Sequence, residues 1–166
     1  MLLAAMNPCP CGYYGDTQKA CRCSTTQIRQ YQSKISGPLL DRIDIHIEVP
    51  SLRYRELTSR ITAESSAEIR ERVMRARTTQ RSRFSGSNTL VNARMGERQI
   101  KAFCTIDEES HKLLEMAIDR LGMSARSFTR ILKVARTIAD LEAETHIQAP
   151  HVAEAIQYRN LDRSVI

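Results

Sequence analysis

The pattern of hydrophobic and polar positions gives mixed signals in the first fifty residues and helical signals in the rest of the chain. Residues 2 to 6 (Leu-Leu-Ala-Ala-Met) are all apolar, and residues 43 to 49 (Ile-Asp-Ile-His-Ile-Glu-Val) alternate strictly. A short apolar run is typical of a buried strand, and a period of two is typical of a strand with one buried face. We therefore predict strands over both segments, with His46 on the polar side. A chain that starts on a buried strand is expected to be part of a longer domain.

Between these two segments the sequence predicts a cysteine-rich turn region and a helix. Ser24 is followed three residues later by Gln27, the capping-box pattern that marks a helix start, so we predict a helix over residues 25–34. Gly37-Pro38 ends it. A short turn of helix is expected over residues 39–42.

Every strong signal after Pro50 is helical. A long polar helix is predicted over residues 64–85, and a short one between Asn92 and Cys104. Asp107 and Ser124 are suited to cap the next two helices, and a last helix is expected near Pro150. Gly122 is expected in the left-handed conformation that ends the helix before it. The helix after Ser124 has apolar residues at helical spacing: Phe128, Ile131, Leu132, Ala135, Ile138 and Ala139.

These elements predict an α+β fold that is predominantly α. A small α/β part covers residues 1–54 and a helical domain covers residues 55–166, with the boundary in about residues 50 to 62. A length of 166 residues suits one domain, or part of a domain with a second small one.

Composition is that of a soluble globular protein, with 42% hydrophobic and 27% charged residues. No apolar run approaches the roughly 20 residues needed to cross a bilayer. The apolar start at residues 1 to 6 is too short for a signal peptide and has no basic flank before it. A cytoplasmic location without a membrane partner is therefore expected.

The net charge of +6 favours polyanionic partners, either nucleic acid or nucleotide phosphates. The absence of tryptophan, with three Phe and five Tyr, argues against a base-stacking platform. The predicted helix at residues 64–85 could face DNA with its arginines, or form a solvated face with acidic neighbours, which is the more ordinary outcome. The arginines are Arg70, Arg72, Arg75, Arg77, Arg81 and Arg83.

Four cysteines, Cys9, Cys11, Cys21 and Cys23, are arranged as C-x-C-x9-C-x-C. Four thiolates satisfy tetrahedral Zn²⁺, and four sulfur ligands leave no open position for catalysis. Because better-attested zinc knuckles use C-x2-C, reduced cysteines without metal remain the alternative to structural Zn²⁺. Cys104 stands alone among apolar residues and is interpreted as a core residue.

Three sequence blocks together resemble a known family. They are Met-Asn-Pro-Cys-Pro-Cys-Gly-Tyr-Tyr-Gly at residues 6–15, Ile-Ser-Gly-Pro-Leu-Leu-Asp-Arg-Ile-Asp at residues 35–44, and Ser-Ala-Arg-Ser-Phe-Thr-Arg-Ile-Leu-Lys-Val-Ala-Arg at residues 124–136. In this order they are similar to the ComM/YifB proteins, AAA+ ATPases related to the magnesium-chelatase ATPase subunit and to the MCM helicases. The resemblance covers essentially the whole chain. It implies the end of an AAA+ α/β core followed by a helical lid domain.

The resemblance implies a role for Asn7 and Arg42 in ATP hydrolysis. Asn7 corresponds to the polar sensor 1 residue that positions the attacking water, although an Asn before Pro is also a common turn start. Arg42 corresponds to the arginine finger that reaches a neighbouring subunit's ATP site. The alternative for Arg42 is a surface salt bridge to Asp41 or Asp44.

Arg126 resembles the sensor 2 arginine that contacts bound nucleotide. It lies in the first turn of a predicted helix, where unpaired N–H groups and the helix dipole already favour phosphate. Arg130 and Lys133 share its face by spacing. For those two residues we predict a solvated basic face.

The resemblance implies an ATP- and Mg²⁺-dependent hexameric ring that acts on DNA in branch migration. This chain has no G-x-x-x-x-G-K-[ST] loop and no apolar run ending in Asp-Glu, so we expect it not to hydrolyse ATP alone. Two other functions remain open at this point. One is a magnesium-chelatase ATPase subunit, and the other is a zinc-stabilised nucleic-acid-binding module without an ATPase.

Overall fold

The computed structural model of the protein describes residues 2–51 and 63–159, and regular structure within those ranges is helical. The prediction of a predominantly α fold is therefore confirmed. In chain order the helices are α1 (Thr25–Gln32), α2 (Gly37–Leu40), α3 (Ser66–Arg83), α4 (Glu97–Phe103), α5 (Glu108–Leu121), α6 (Ala125–Leu141) and α7 (Ala149–Gln157), with a 3₁₀ turn at Asn92–Arg94.

Three helices begin at the capping residues that the sequence predicts, whereas α4 begins after Gly96 and not at Asn92, which lies in the 3₁₀ turn. The side chains of Ser24, Asp107 and Ser124 each accept the backbone N–H three residues later, which satisfies one free donor of the helix start. Gly122 follows α5 in the left-handed region, at φ 59°. Helix limits differ from the predicted ones by a few residues, which is the usual uncertainty of fraying helix ends.

The core forms around α6, which packs against α3, α4, α7 and the 3₁₀ turn, while α5 packs against α7. Five of the six apolar residues predicted to face inward from α6 are fully buried, and Phe128 packs against their edge. Residues from the neighbouring elements complete this core: Phe84, Met95, Cys104, Leu114, Ile147, Val152 and Ala155. Cys104 is therefore the core residue that its isolated position predicts.

The two predicted strands are wrong for the part of the chain that the structure describes. No strand occurs in residues 2–51 or 63–159. Residues 2–6 are exposed, with Leu3 at 90%. Along residues 43–49 the predicted buried face is also wrong, because His46 is buried whereas Ile47 is 65% exposed. Asp44 and Glu48 are exposed, as predicted. A β-ladder needs a neighbouring strand to bond its backbone groups, and these segments have none among the described residues.

The segment after α2 is attached to the helical core by backbone contacts. The N–H of His46 donates to the carbonyl of Tyr158 at 2.7 Å, and the guanidinium of Arg159 donates to the carbonyl of Ile43 at 2.8 Å. Two backbone groups of this segment, the N–H of His46 and the carbonyl of Ile43, are thus hydrogen-bonded to the residues that follow α7. The predicted domain division at residues 54 and 55 falls within residues 52–62, outside the described residues.

A buried polar cluster joins α3 to α6. Arg83 donates through both terminal nitrogens to the Asp140 carboxylate, at 2.7 and 2.5 Å, and Asn92 Nδ2 donates to it at 2.7 Å. Arg136 Nε adds a fourth contact at 3.1 Å. Every oxygen of this buried carboxylate therefore has charged or polar donors, which is the condition for burying it.

Among the helices of the described ranges, none has the length and apolar character required to cross a membrane.

Candidate functional site

The four clustered cysteines converge on one point of the loop before α1. The Sγ atom of Cys9 lies 3.4 Å from that of Cys11 and 3.7 Å from that of Cys21, and Cys11 and Cys21 are 3.6 Å apart. All four Sγ atoms, including that of Cys23, lie within 4.8 Å of one another. None of the four is in a disulfide, and Cys9 is fully buried.

This geometry fits tetrahedral Zn²⁺. A Zn–S bond of about 2.3 Å implies an S···S separation of about 3.8 Å in a tetrahedron, close to the separations found here. The backbone N–H groups of Tyr13 and Arg22 also lower the pKa of Cys11 to about 6. The N–H of Cys23 lowers the pKa of Cys21, but burial and the neighbouring sulfurs outweigh it and raise that pKa to about 12. Four thiolates in so small a space repel one another unless a cation offsets their charge.

Asn7 lies against the cysteine loop. Gly12 N–H donates to the carbonyl of Cys9 at 3.0 Å, and Gly12 has a φ of 85° that favours glycine. A Cβ built on Gly12 would stand 3.8 Å from Asn7 Cγ and Nδ2, which is ordinary contact distance. The exposed Asn7 side chain therefore packs against the turn that the hydrogen bond from Gly12 to Cys9 closes.

A single carboxylate, Asp41, joins the end of α2 to the start of α6. The hydroxyls of Ser124 and Ser127 both donate to Asp41 Oδ1 at 3.0 Å. Arg126 Nη1 lies 3.4 Å from Asp41 Oδ2, and Arg159 Nη2 lies 3.6 Å from Oδ1. Partial burial acts to raise the pKa of Asp41, but the hydrogen bonds from Ser127 and Ser124 and the charges of both arginines outweigh it and lower that pKa.

Through Asp41, the structure brings the segment of Arg42 next to Arg126. Arg42 follows Asp41 directly, is exposed, and donates to the carbonyl of Pro38 at 3.2 Å. In the described residues, Asp41 pairs with Arg126 and Arg159, and Asp44 pairs with Arg130, so neither aspartate forms the salt bridge considered for Arg42. Arg126 keeps 54% of its side chain exposed. Both guanidinium groups therefore remain accessible to solvent.

Arg130 and Lys133 of α6 differ from the solvated face predicted for them. Arg130 Nη1 donates to Asp44 Oδ1, and Lys133 Nζ donates to the carbonyl of Ala93 at 3.2 Å. Both residues are half-buried. They attach the segment after α2 and the 3₁₀ turn to α6, so that prediction is wrong.

The contacts of Asp41 with Ser124, Ser127, Arg126 and Arg159 form what we call the Asp41 junction. The sequence did not predict that Ser127 and Arg159 contact Asp41. The fully buried Arg159 comes from beyond the last helix and donates to Ile43 and to Ser127 Oγ. The two contacts join residues 116 and 32 positions apart in the chain, and a local sequence pattern does not predict contacts between residues so far apart. The one available signal was an Asp directly before the exposed arginine.

Two family profiles match the chain. The profile described as "Magnesium chelatase, subunit ChlI C-terminal" matches residues 63–159, and the one described as "Magnesium chelatase, subunit ChlI" matches residues 1–57.

Individual bacterial proteins are similar along nearly the whole chain. The competence protein ComM of Haemophilus influenzae is 43% identical over 163 residues, which is 98% of this chain and 31% of that protein. The uncharacterized protein YifB of Escherichia coli is 40% identical over 166 residues, covering 99% of this chain and 32% of that protein. A Mycobacterium bovis protein is 34% identical over 158 residues, which is 95% of this chain and 31% of that protein. The chain thus spans about a third of the length of these relatives.

Proposed function

Because the chain belongs to the magnesium-chelatase ChlI family, we propose that it forms the C-terminal part of an AAA+ ATPase subunit and supplies side chains that contact a bound nucleotide. ATP and Mg²⁺ would be held by the part of the full-length protein that carries the phosphate-binding loop. Arg42 acts as the arginine finger, Arg126 as sensor 2, and Asn7 as sensor 1. Arg42 and Arg126 supply positive charge to phosphate oxygens, and Asn7 orients water.

The observation that carries this proposal is the Asp41 junction. It places Asp41, the residue directly before the exposed Arg42, against the start of α6, where Arg126 is exposed and the helix dipole adds to its positive potential. Arg126 has one weak ion pair, with Asp41 at 3.4 Å, so little is lost when it turns to a phosphate.

The full-length protein is proposed to be a hexameric ring that remodels DNA, as the ComM resemblance implies. A finger must reach a neighbour's nucleotide, and the exposure of Arg42 leaves it available to a neighbouring subunit. The net charge of +6 supports a polyanionic substrate. In a ring of this kind each subunit completes the site of the next.

Replacing Arg126 by alanine in the full-length protein is the first test. Loss of one charge-assisted contact to phosphate, of about 1.5–3 kcal/mol, corresponds to a decrease of roughly 10- to 100-fold in kcat/KM for ATP. Steady-state ATP hydrolysis would measure it. The melting temperature should change little, because the exposed pair with Asp41 contributes little to stability.

Arg98→Ala is the matched control, since Arg98 is also exposed and also occupies the second position of its helix, α4. It should hydrolyse ATP like the wild type. Equal turnover in wild type and Arg126→Ala would disprove the sensor 2 assignment. A full-length protein that neither binds nor hydrolyses ATP would disprove the ATPase proposal as a whole.

We also propose that Cys9, Cys11, Cys21 and Cys23 hold a structural zinc ion, which the sulfur separations support. The ion would fix the loop on which Asn7 packs. The purified full-length protein should contain about one zinc per chain, and Cys9→Ser with Cys21→Ser should remove it. Elemental analysis measures the content, and Co²⁺ substitution should give the absorption of tetrahedral thiolate ligation.

Cys104→Ala is the control for the metal measurement, because it removes a buried thiol far along the chain from the cluster. It should retain the metal. Zinc content that is negligible in the wild type, or equal in the wild type and the double serine variant, would contradict the metal site.

A further inference from the structure

Three arginines of α3 lie on one face of the helix. Arg77 and Arg81 follow Arg70 by seven and eleven residues, so at about 100° per residue the three side chains fall within a sector of about 40°. All three are exposed. We refer to Arg70, Arg77 and Arg81 as the arginine stripe.

The stripe differs from the other arginines of α3 in its partners. Arg72 pairs with Glu64 at 2.6 Å, Arg75 with Glu71 at 3.1 Å, and Arg83 with Asp140 at 2.5 Å. No stripe arginine forms an ion pair with another described residue.

The sequence of α3 explains this difference. An arginine on a helix can pair with an acidic residue three or four positions away, and none of the stripe arginines has one there. The two acidic residues of the helix, Glu68 and Glu71, lie about 160° and 100° around the axis from the centre of the stripe. The stripe is therefore a continuous positive surface without local neutralisation.

We propose that the arginine stripe binds the phosphate backbone of nucleic acid. The proposal rests on the proposed action of the full-length protein on DNA and identifies one surface that contacts it. Arg70 and Arg77 are separated by about 10.5 Å along the axis, and Arg77 and Arg81 by about 6 Å. These spacings are large enough for the three guanidinium groups to contact separate phosphates of a duplex, which carries one charge per about 1.7 Å of its axis.

The character of the surface favours phosphates over bases. Met74 and Val73 are the exposed apolar residues beside the stripe, and α3 contains no aromatic side chain on which a base could stack. Binding should therefore be insensitive to sequence and sensitive to salt. Nothing in this contact requires the nucleotide site, because the stripe lies on α3, whereas Arg126 lies on α6 and Arg42 follows α2.

The test replaces Arg70, Arg77 and Arg81 together by glutamine in the full-length protein. Binding to a mixed-sequence DNA duplex would be measured by fluorescence anisotropy over a range of KCl concentrations. Loss of three phosphate contacts should reduce the slope of log K against log salt by about 2 to 3, and affinity by roughly 10- to 100-fold near 0.1 M salt. Circular dichroism and ATP hydrolysis without DNA should match the wild type.

Arg72→Gln with Arg75→Gln is the matched control, since it removes paired arginines from the same helix and should leave the salt slope nearly unchanged. If the wild type binds DNA and the triple variant keeps its affinity and slope, the stripe proposal fails while the ATPase proposal stands. A wild type that binds no nucleic acid overturns the proposed action on DNA and the stripe together. Loss of binding to phosphatidylserine vesicles without loss of DNA binding would identify a membrane surface and overturn the stripe proposal.

Discussion

Replacing Arg42 by alanine in the full-length protein is expected to reduce the rate of ATP hydrolysis by about 10³-fold, with ATP affinity nearly unchanged. A finger acts on the charge that develops on the transferred phosphoryl group, so its removal lowers kcat far more than binding. The exposed side chain has one hydrogen bond, to the carbonyl of Pro38, and its loss should not affect folding. Steady-state hydrolysis and binding of a fluorescent ATP analogue would measure the two quantities.

Two further variants separate the finger from a general effect of charge. Arg42→Lys keeps the positive charge but loses the planar pair of donors, and should recover only a small part of the rate. Arg29→Ala removes an exposed arginine from α1 and should be neutral. Turnover by Arg42→Ala within a few-fold of the wild type would refute the finger assignment, whatever the behaviour of Arg126→Ala.

The helical part of the fold could be predicted because its determinants are local. Ser24, Asp107 and Ser124 lie within three residues of the N–H groups that they accept, and the inward face of α6 follows from the helical period. A helix cap and an amphipathic helix are each defined by residues a few positions apart, so both can be recognised from the sequence. The four cysteines likewise lie within fifteen residues of one another in the chain, so a single loop is enough to bring their sulfur atoms together.

The alternating segment at residues 43–49 shows the limit of such patterns. Its period of two reports a preference for extended backbone but not the partner that would satisfy it. The carbonyl of Tyr158 accepts the N–H of His46, whose side chain is buried, whereas Ile45 and Ile47 are exposed. The partner of this backbone group lies 112 positions away in the chain, so the alternating pattern alone did not identify which side chains are buried.

The Asp41 junction could not be predicted for the same reason. Its hydrogen bonds to Ser124 and Ser127 join parts of the chain 83 and 86 residues apart. The sequence pointed to Arg42 and Arg126 one at a time, through their resemblance to family motifs. That the carboxylate directly before Arg42 binds the start of the helix carrying Arg126 is information that only the tertiary structure contains.

Asp140 is the residue whose replacement should most reduce the stability of the helical domain. Its buried carboxylate receives both terminal nitrogens of Arg83, Nδ2 of Asn92 and Nε of Arg136. Arg136 is itself buried and also donates to the carbonyls of Glu144 and Thr145. Removing the carboxylate would leave two guanidinium groups with little solvent and no counter-charge in this cluster.

We therefore expect Asp140→Ala to lower the free energy of unfolding by about 3–5 kcal/mol, whereas Asp119→Ala, at an exposed site on α5, should change it by about 0.5 kcal/mol or less. Urea denaturation of the chain, followed by the helical circular dichroism signal, measures both.

Burial acts to raise the pKa of Asp140, but the hydrogen bonds from Arg83 and Asn92 and the charge of Arg136 outweigh it and lower that pKa. A lowered pKa contributes stability that is fully present above the unfolded value of about 3.9 and is lost as pH falls through the folded value. The wild type should accordingly lose stability below about pH 4 more steeply than Asp140→Asn, and equal acid sensitivity of the two would mean that Asp140 is not ionised in the folded protein.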